Sequence, residues 1–254
     1  MHSPVGMIEP ETLMLGYRSG IFPMADSRDD VDVFWVEPKR RAILPLDQFR
    51  CSRSLARTLR RERFSVTCNQ AFAEVMLGCA APRDEDGGTW ISGRIAMSYQ
   101  RLHEIGLAHS IECWQDGALV GGLYGVGFNR VFCGESMFSR VADASKVALA
   151  WLVCAMRMSG AELLDCQFIT GHLASLGAVE ITQNRYLQLL RRAQRPVAAA
   201  GDAEGAELAC GVGDGDAPAA VLDLPTGFAA LLAVAAGSSS SPGNFIAQSF
   251  THTS

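Results

Sequence analysis

The chain predicts a mixed α/β fold, an antiparallel meander backed by a buried helix. Three observations predict it. The apolar period falls from 3.6 residues to 2 across residues 109–136. Two hairpin-type turns, "QDG" at 115–117 and "GFN" at 127–129, cut that stretch into strands. The segment "DASKVALAWLVCAMRMSG" (143–160) then follows, apolar almost all round, as a helix buried against a sheet must be.

The elements follow in chain order. Residues 7–42 hold a short helical pattern, "PETLMLGYRSG", stopped at Gly20, and then "IFPMAD" and "VFWVEPKR". Residues 51–62, "CSRSLARTLRRE", read as a helix with Ser52 or Ser54 at its cap. Residues 69–80 read as a second amphipathic helix capped by Asn69, "PRDEDGGTW" as a polar loop, and 94–106 as a third helix ending at Gly106. "HSIECW", "ALVGGLYGV" and "RVFCGES" are the strands of the meander. After the buried helix come a further strand, "AELLDCQFI" (161–169), and a last helix near 184–193. From residue 196 the chain is rich in Ala, Gly and Ser, which predicts flexible polypeptide with a short helix at 226–236 and no chemistry.

Meander, buried helix and further strand form the order of a GCN5-related acyltransferase (GNAT-like) domain. The expected division is a small N-terminal domain at 1–48, a GNAT-like catalytic domain at 49–195 and an extension at 196–254. Coenzyme A enzymes of that fold place a glycine-rich turn before the helix. The turn here reads "SRVADASK", without glycine, which argues against a CoA thioester as donor.

The strand at 161–169 raises a chemical question. Side chains alternate along a strand, so Asp165 and Gln167 share one face and Cys166 takes the other. A carboxylate in a core costs several kcal/mol unless it is paired or used. Asp165 is thus either tied down by backbone N–H groups or an arginine, or it belongs to a site.

Bulk properties narrow the classes. With 254 residues, 48% hydrophobic and 19% charged, the sequence is that of an ordinary globular protein with a proper core. "MHSPVGMIEP" has neither the basic start nor the apolar stretch of a signal peptide. The apolar run at 227–237 is too short to span a bilayer, so the expected location is the cytoplasm, with no membrane partner. The eight cysteines form no CxxC pair and no His/Cys cluster, which predicts reduced, buried thiols and no metal. The net charge of −5 is segregated: residues 196–254 contain six acids and no Lys or Arg. Residues 39–64, in contrast, carry nine basic and two acidic side chains. A polyanion partner and a merely solvated helix face both account for such a stripe.

Four stretches together resemble one family, leucyl/phenylalanyl-tRNA–protein transferase. They are "YRSGIFPMAD" (17–26), "GTWISGRIAMSYQRLHEIGLAHSIECW" (88–114), "LVGGLYGVGFNRVFCGESMFSRVADASKVAL" (119–149) and "LLDCQFITGHLASLGAVEI" (163–181). The resemblance runs over about residues 13–190, and "FCGESMFSR" and "DCQ…HLASLGA" are its most specific parts. It implies an enzyme that moves Leu, Phe and to a lesser degree Met from aminoacyl-tRNA to a protein beginning with Arg or Lys. The product would carry a destabilising N-terminus that marks it for degradation. The resemblance implies no cofactor, since the aminoacyl ester is already activated.

Residue roles follow from the resemblance position by position. Asp165 and Gln167 match the pair proposed to assist the attacking amine, Asp165 as relay to Gln167, although the substrate's own hydroxyls could also shuttle the proton. Chemically, the Gln167 amide oxygen can accept a hydrogen bond from an amine. Glu135 matches a contact to the aminoacyl-adenosine, against the plainer reading of a carboxylate tying down a turn. Trp35 and Trp90, with Phe132, match residues that hold the 3′-terminal adenosine, a use that suits an aromatic face; without the resemblance both tryptophans read as core or surface anchors. Leu123, Met137, Leu149 and Leu152 match the pocket for the Leu or Phe side chain. Arg53, Arg57, Arg60, Arg61 and Arg63 match a basic cluster on the tRNA acceptor stem. His109 and His172 are expected to make structural hydrogen bonds.

The sequence also departs from the family pattern. The N-terminal part is short, Leu123 stands where Met is common, and "ITQNRY" (181–186) replaces the usual Ile-Pro-Arg motif; residues 196–254 have no counterpart in it. Two other readings stand beside the main one: an aminoacyl-tRNA-dependent acyltransferase with another amine acceptor, and a non-catalytic tRNA-binding module.

Overall fold

In the computed structural model, residues 6–81, 89–196 and 222–250 are described. The polar loop expected at 82–90 falls largely outside them, as does the first part of the tail, 197–221. The chain opens with α1 (Pro10–Ser19), β1 (Phe22–Met24) and β2 (Phe34–Val36), then β3 (Arg40–Leu44) and α2 (Arg53–Arg60). Next come β4 (Ser65–Cys68), α3 (Phe72–Cys79) and α4 (Gly93–Glu104). The meander is β5 (Ala108–Gln115), β6 (Ala118–Phe128) and β7 (Val131–Ser139), followed by α5 (Ala144–Met158) and β8 (Leu163–Gln167). The chain continues through α6 (Gly171–Ser175), β9 (Val179–Thr182) and α7 (Gln183–Gln194) to α8 (Leu224–Gly237) and α9 (Pro242–Ser249).

Strands β1 and β2 form a two-stranded antiparallel sheet; the other seven form one mixed sheet in the order β4-β5-β6-β7-β8-β3-β9. The meander is where the period-2 pattern puts it, and β7 pairs with β8 in parallel, which α5 makes possible as the crossover. Alternation along the strands builds two cores. Phe132 and Leu164 pack on the side of α2, α5, α8 and α9, whereas Val131, Cys133 and Leu163 pack on the side of α1, α3, α4 and α7. Helix α5 is apolar all round because the sheet covers one side of it and α8 the other, with Trp151 stacked on Phe228 at 5.2 Å.

The structure corrects several expectations. Residues 40–44 lie before the boundary drawn at 48/49, yet β3 pairs with β8 and β9 inside the large sheet. The N-terminal part therefore supplies an internal strand, next to the edge, to the large sheet. Strands β4 and β9 are too short and too irregular in pattern to be read from periodicity. Asn69 does not cap the second helix: it sits in the left-handed region (φ 60°) and its side chain accepts from Ser110 N, while the helix begins at Phe72. In the tail, α8 and α9 are packed rather than flexible. Gly227 lets α8 approach α5 so closely that a Cβ there would overlap the Ala155 carbonyl oxygen. The expected Ser52 cap is present, accepting from Leu55 N at 3.2 Å. Among the described residues no helix is long and apolar enough to cross a membrane.

Candidate active site

Strands β7 and β8 pair only over Val131–Cys133 and Leu163–Asp165. Beyond that point they separate, and a cavity of about 750 Å³ opens between them, in the size range of small-molecule sites. Its apolar wall is Leu123, Met137, Leu149 and Leu152, the four residues expected to hold an aminoacyl side chain. Met24, Trp90 and Phe168 also line it.

Glu135 enters this cavity through an irregularity of the sheet. Gly125 faces Gly134 and Tyr124 faces Ser136, so Glu135 is the extra residue in β7. Such a bulge re-aims a side chain. The carboxylate accepts from Tyr99 Oη at 3.1 Å and from Gln167 Nε2 at 2.8 Å. The Tyr17 and Tyr99 hydroxyls are themselves hydrogen-bonded to each other. No cation is among its partners in the described residues. Burial pushes the Glu135 carboxyl up from the usual range to about 7, against the pull of the hydrogen bonds around it.

Gln167, 7% exposed, lies on the cavity wall at the end of β8 and holds a φ of 60°. For a side chain other than glycine this left-handed conformation has to be enforced by its surroundings. Two bonds enforce it. The Gln167 backbone N–H donates to Asp165 Oδ1 at 2.9 Å, and its side-chain Nε2 donates to Glu135. The second bond fixes the amide plane, leaving the carbonyl oxygen as the available acceptor.

Asp165 itself has no exposed surface and does not line the cavity. Arg41 from β3 grips it bidentately, Nε to Oδ1 at 2.9 Å and Nη2 to Oδ2 at 2.6 Å, and Tyr186 Oη donates to Oδ2 at 2.8 Å. The guanidinium lies between the rings of Phe22 and Tyr186, 4.6 and 4.5 Å from their centroids, and donates to Gly20 O. Burial disfavours its charge, but the Asp165 carboxylate more than offsets this and holds Arg41 protonated above its usual value. Of the two fates open to a buried aspartate, the structure shows pairing with an arginine. Its effect still reaches the cavity, through the main chain of Gln167.

The remaining expected residues divide. Trp90 lines the cavity, but Trp35 does not. Trp35 pairs with Pro23 across β1–β2, one register position from the Met24–Phe34 pair, and packs over Gly16 instead. Phe132 is fully buried in the core beside Gly125 and takes no part in the cavity wall. Arg53, Arg57, Arg60, Arg61 and Arg63 are all exposed on and after α2, and none is ion-paired with a carboxylate among the described residues. His109 Nδ1 is bonded to the Asn69 amide at 3.0 Å, as a structural histidine should be. The Nε2 atoms of His109 and His172 are both buried without a hydrogen-bond partner among the described residues, and the His172 ring also lines the cavity.

Sequence reasoning missed Met24, Tyr17, Tyr99, Arg41 and Tyr186. The tyrosines occupy ordinary core positions of amphipathic helices. Arg41 offered one signal, a cation inside the apolar strand pattern "RRAIL".

Two family models match this chain. The one described as leucyl/phenylalanyl-tRNA protein transferase covers residues 43–191, and that of its N-terminal domain covers residues 6–39. The chain belongs to the leucyl/phenylalanyl-tRNA–protein transferase family. A leucyl/phenylalanyl-tRNA–protein transferase of Novosphingobium aromaticivorans is 66% identical over 97% of each chain. That of Rhizorhabdus wittichii is 58% identical over 78% of this chain and 80% of its own. A solved structure described as L-PGS from Bacillus licheniformis is 14% identical with a TM-score of 0.35, over 67% of this chain and 56% of that one, and carries no weight here. Helices α8 and α9 lie beyond both family matches.

Proposed function

We propose that this transferase moves Leu or Phe, and less readily Met, from aminoacyl-tRNA to the α-amine of a protein that begins with Arg or Lys. The new N-terminus would direct the acceptor to degradation. The observation that carries the reading is Gln167, held in a left-handed conformation at the wall of an apolar cavity with its amide plane fixed by Glu135.

The reaction is aminolysis of an ester. A neutral α-amine attacks the aminoacyl carbonyl, a C–N bond forms, and the C–O bond to the ribose breaks as the hydroxyl leaves with a proton. The activated ester supplies the driving force, so the protein's task is to orient the partners. The cavity takes the apolar donor side chain against Leu123, Met137, Leu149 and Leu152. Trp90 offers a ring at the same cavity for the terminal adenine. The Gln167 carbonyl oxygen accepts a hydrogen bond from the incoming amine and aims its lone pair. Asp165 serves as a positioning residue for Gln167, because its lone pairs are engaged by Arg41, Tyr186 and the Gln167 main chain. The exposed arginines of α2 supply phosphate contacts, which position an acceptor stem without reading its sequence.

The test is transfer of radiolabelled leucine from leucyl-tRNA to a peptide beginning with Arg, beside one beginning with Ala, with RNase-treated donor as control. RNase-sensitive labelling of the Arg peptide alone is the expected result. Labelling of a different amine would point to another acceptor, and tRNA binding without transfer to a binding module.

A further inference from the structure

Helix α2 bears the arginine cluster, and it has only eight residues. A helix this short is not stable alone and must be held by packing. Its own charges make matters worse: Arg53 and Arg57, and Arg57 and Arg61, are like-charged pairs four residues apart. Its buried side, Leu55, Ala56 and Leu59, packs in the core cluster that includes Ile246, Ala247 and Phe250 of the tail.

The tail holds α2 at both ends. Before the helix, Phe49 meets Phe250 with ring centroids 4.6 Å apart. After it, Gly243 N donates to Glu62 Oε1 at 3.3 Å, and Gly243 sits so close that a Cβ there would overlap the Leu59 carbonyl oxygen. Helix α9 is in turn tied to α5. Cys154 Sγ bonds Ser249 Oγ at 3.5 Å, and the Arg157 guanidinium lies 5.0 Å over the Phe250 ring while donating to Leu46 O. The five arginines stay exposed. Residues 196–254 contain no Lys or Arg, so the tail has no cation of its own for a phosphate.

We propose that α8 and α9 act as a brace that positions the arginine helix for aminoacyl-tRNA, through Gly243 and Phe250. This rests on the reading that α2 meets the acceptor stem. The brace sets how tightly tRNA is captured and leaves the chemistry at the cavity untouched.

The experiment compares two donors in the full-length protein: leucyl-tRNA, and phenylalanyl-adenosine, which has no acceptor stem. Gly243→Val should push α9 off the Leu59 carbonyl. The expected result is a KM for leucyl-tRNA raised about tenfold and a shallower dependence of log affinity on log salt, as lost phosphate contacts require. The rate with phenylalanyl-adenosine should stay at the wild-type value. Phe250→Leu, a milder change, should move the same quantities in the same direction and covers the case in which Gly243→Val fails to fold. Equal loss with both donors, or unchanged tRNA affinity in both variants, would overturn the brace. The double change Arg57→Ala with Arg60→Ala separates the two claims. If it leaves tRNA affinity unchanged, the placement of tRNA on α2 is wrong; if it weakens binding while the brace variants do not, only the brace is wrong.

Discussion

Asp165 and Glu135 are both buried carboxylates beside one gap in one sheet, and they are held in opposite ways. Asp165 accepts from a guanidinium, a tyrosine and a backbone N–H, so its charge is neutralised by a partner equally buried. Glu135 accepts from a tyrosine and an amide, neither of them charged, with a second tyrosine behind the first. The first is a fixed ion pair sealed away from the cavity; the second faces the cavity and titrates near the working pH. Gln167 joins them, its main chain bonded to one acid and its side chain to the other. The Asp165 side is architecture, and the Glu135 side can respond to what enters.

The largest effect should come from breaking the sealed side. Arg41→Met leaves Asp165 uncompensated and should cost about 3–5 kcal/mol of stability in urea denaturation. Adding Asp165→Leu should recover much of that loss, since an apolar pair can replace a buried ion pair. Transfer activity should not return with it, because Gln167 N–H then has no acceptor. If activity did return with stability, the two sides would be independent and the comparison would fail.

Gln167→Gly tests the joint next. Glycine accepts a φ of 60° without strain, so stability should stay within about 1 kcal/mol. The rate of transfer should fall by about 10²-fold, the loss typical of one well-placed polar contact to a reacting group. A fall in kcat with little change in KM for aminoacyl-tRNA would place the residue in the chemistry. A rise in KM alone would make it a binding contact.

How much of this was legible in the sequence follows from what each feature depends on. The meander and α5 are local patterns, and their spacing announces them. The four apolar cavity residues sit on those same elements and were reachable by resemblance, as was Trp90 in the segment before α4. Arg41 was not, because its partner lies 124 residues away and nothing local says which aspartate a strand arginine will meet. The irregular pairing that aims Glu135 is likewise a property of two strands together. Trp35 and Phe132 show what matching positions leave open: strand pairing sets Trp35 opposite Pro23, outside the cavity wall, and Phe132 is buried in the core. The packed tail was hidden by composition, because Ala and Gly look flexible in sequence and are also what close helix packing needs.

Glu135→Gln sharpens the other half of the comparison. With its folded pKa raised to about 7, Glu135 favours the folded state while protonated, and that contribution is lost as pH rises through about 7. Wild-type protein should therefore lose more thermal stability between pH 6 and pH 8 than the Gln variant. Activity should change in the opposite sense. Ionised Glu135 is purely an acceptor and fixes the Gln167 amide, so the wild-type rate should climb across this range more steeply than the acceptor amine, with a usual pKa near 8, accounts for. In the variant only the amine's share should remain. Identical pH profiles in the two proteins would mean that Glu135 does not titrate near the working pH.

The smallest effect is expected on the apolar wall, and it serves as the control. Leu123 faces the cavity from β6 beside Met137, on the side that holds neither acid. Leu123→Met is close to volume-conserving and should cost less than about 1.5 kcal/mol in stability. The longer, unbranched side chain reaches further into the space that a phenyl ring needs and adapts readily around a leucine. The ratio of kcat/KM for leucyl- over phenylalanyl-tRNA should therefore rise by about tenfold or less, at or below the lower end of what shape alone provides. The pH profile should not move, since Leu123, Met137, Leu149 and Leu152 carry no titratable group. A shifted profile would mean that the wall also governs the setting of Gln167, and the separation between a wall that selects and a wall that reacts would be lost.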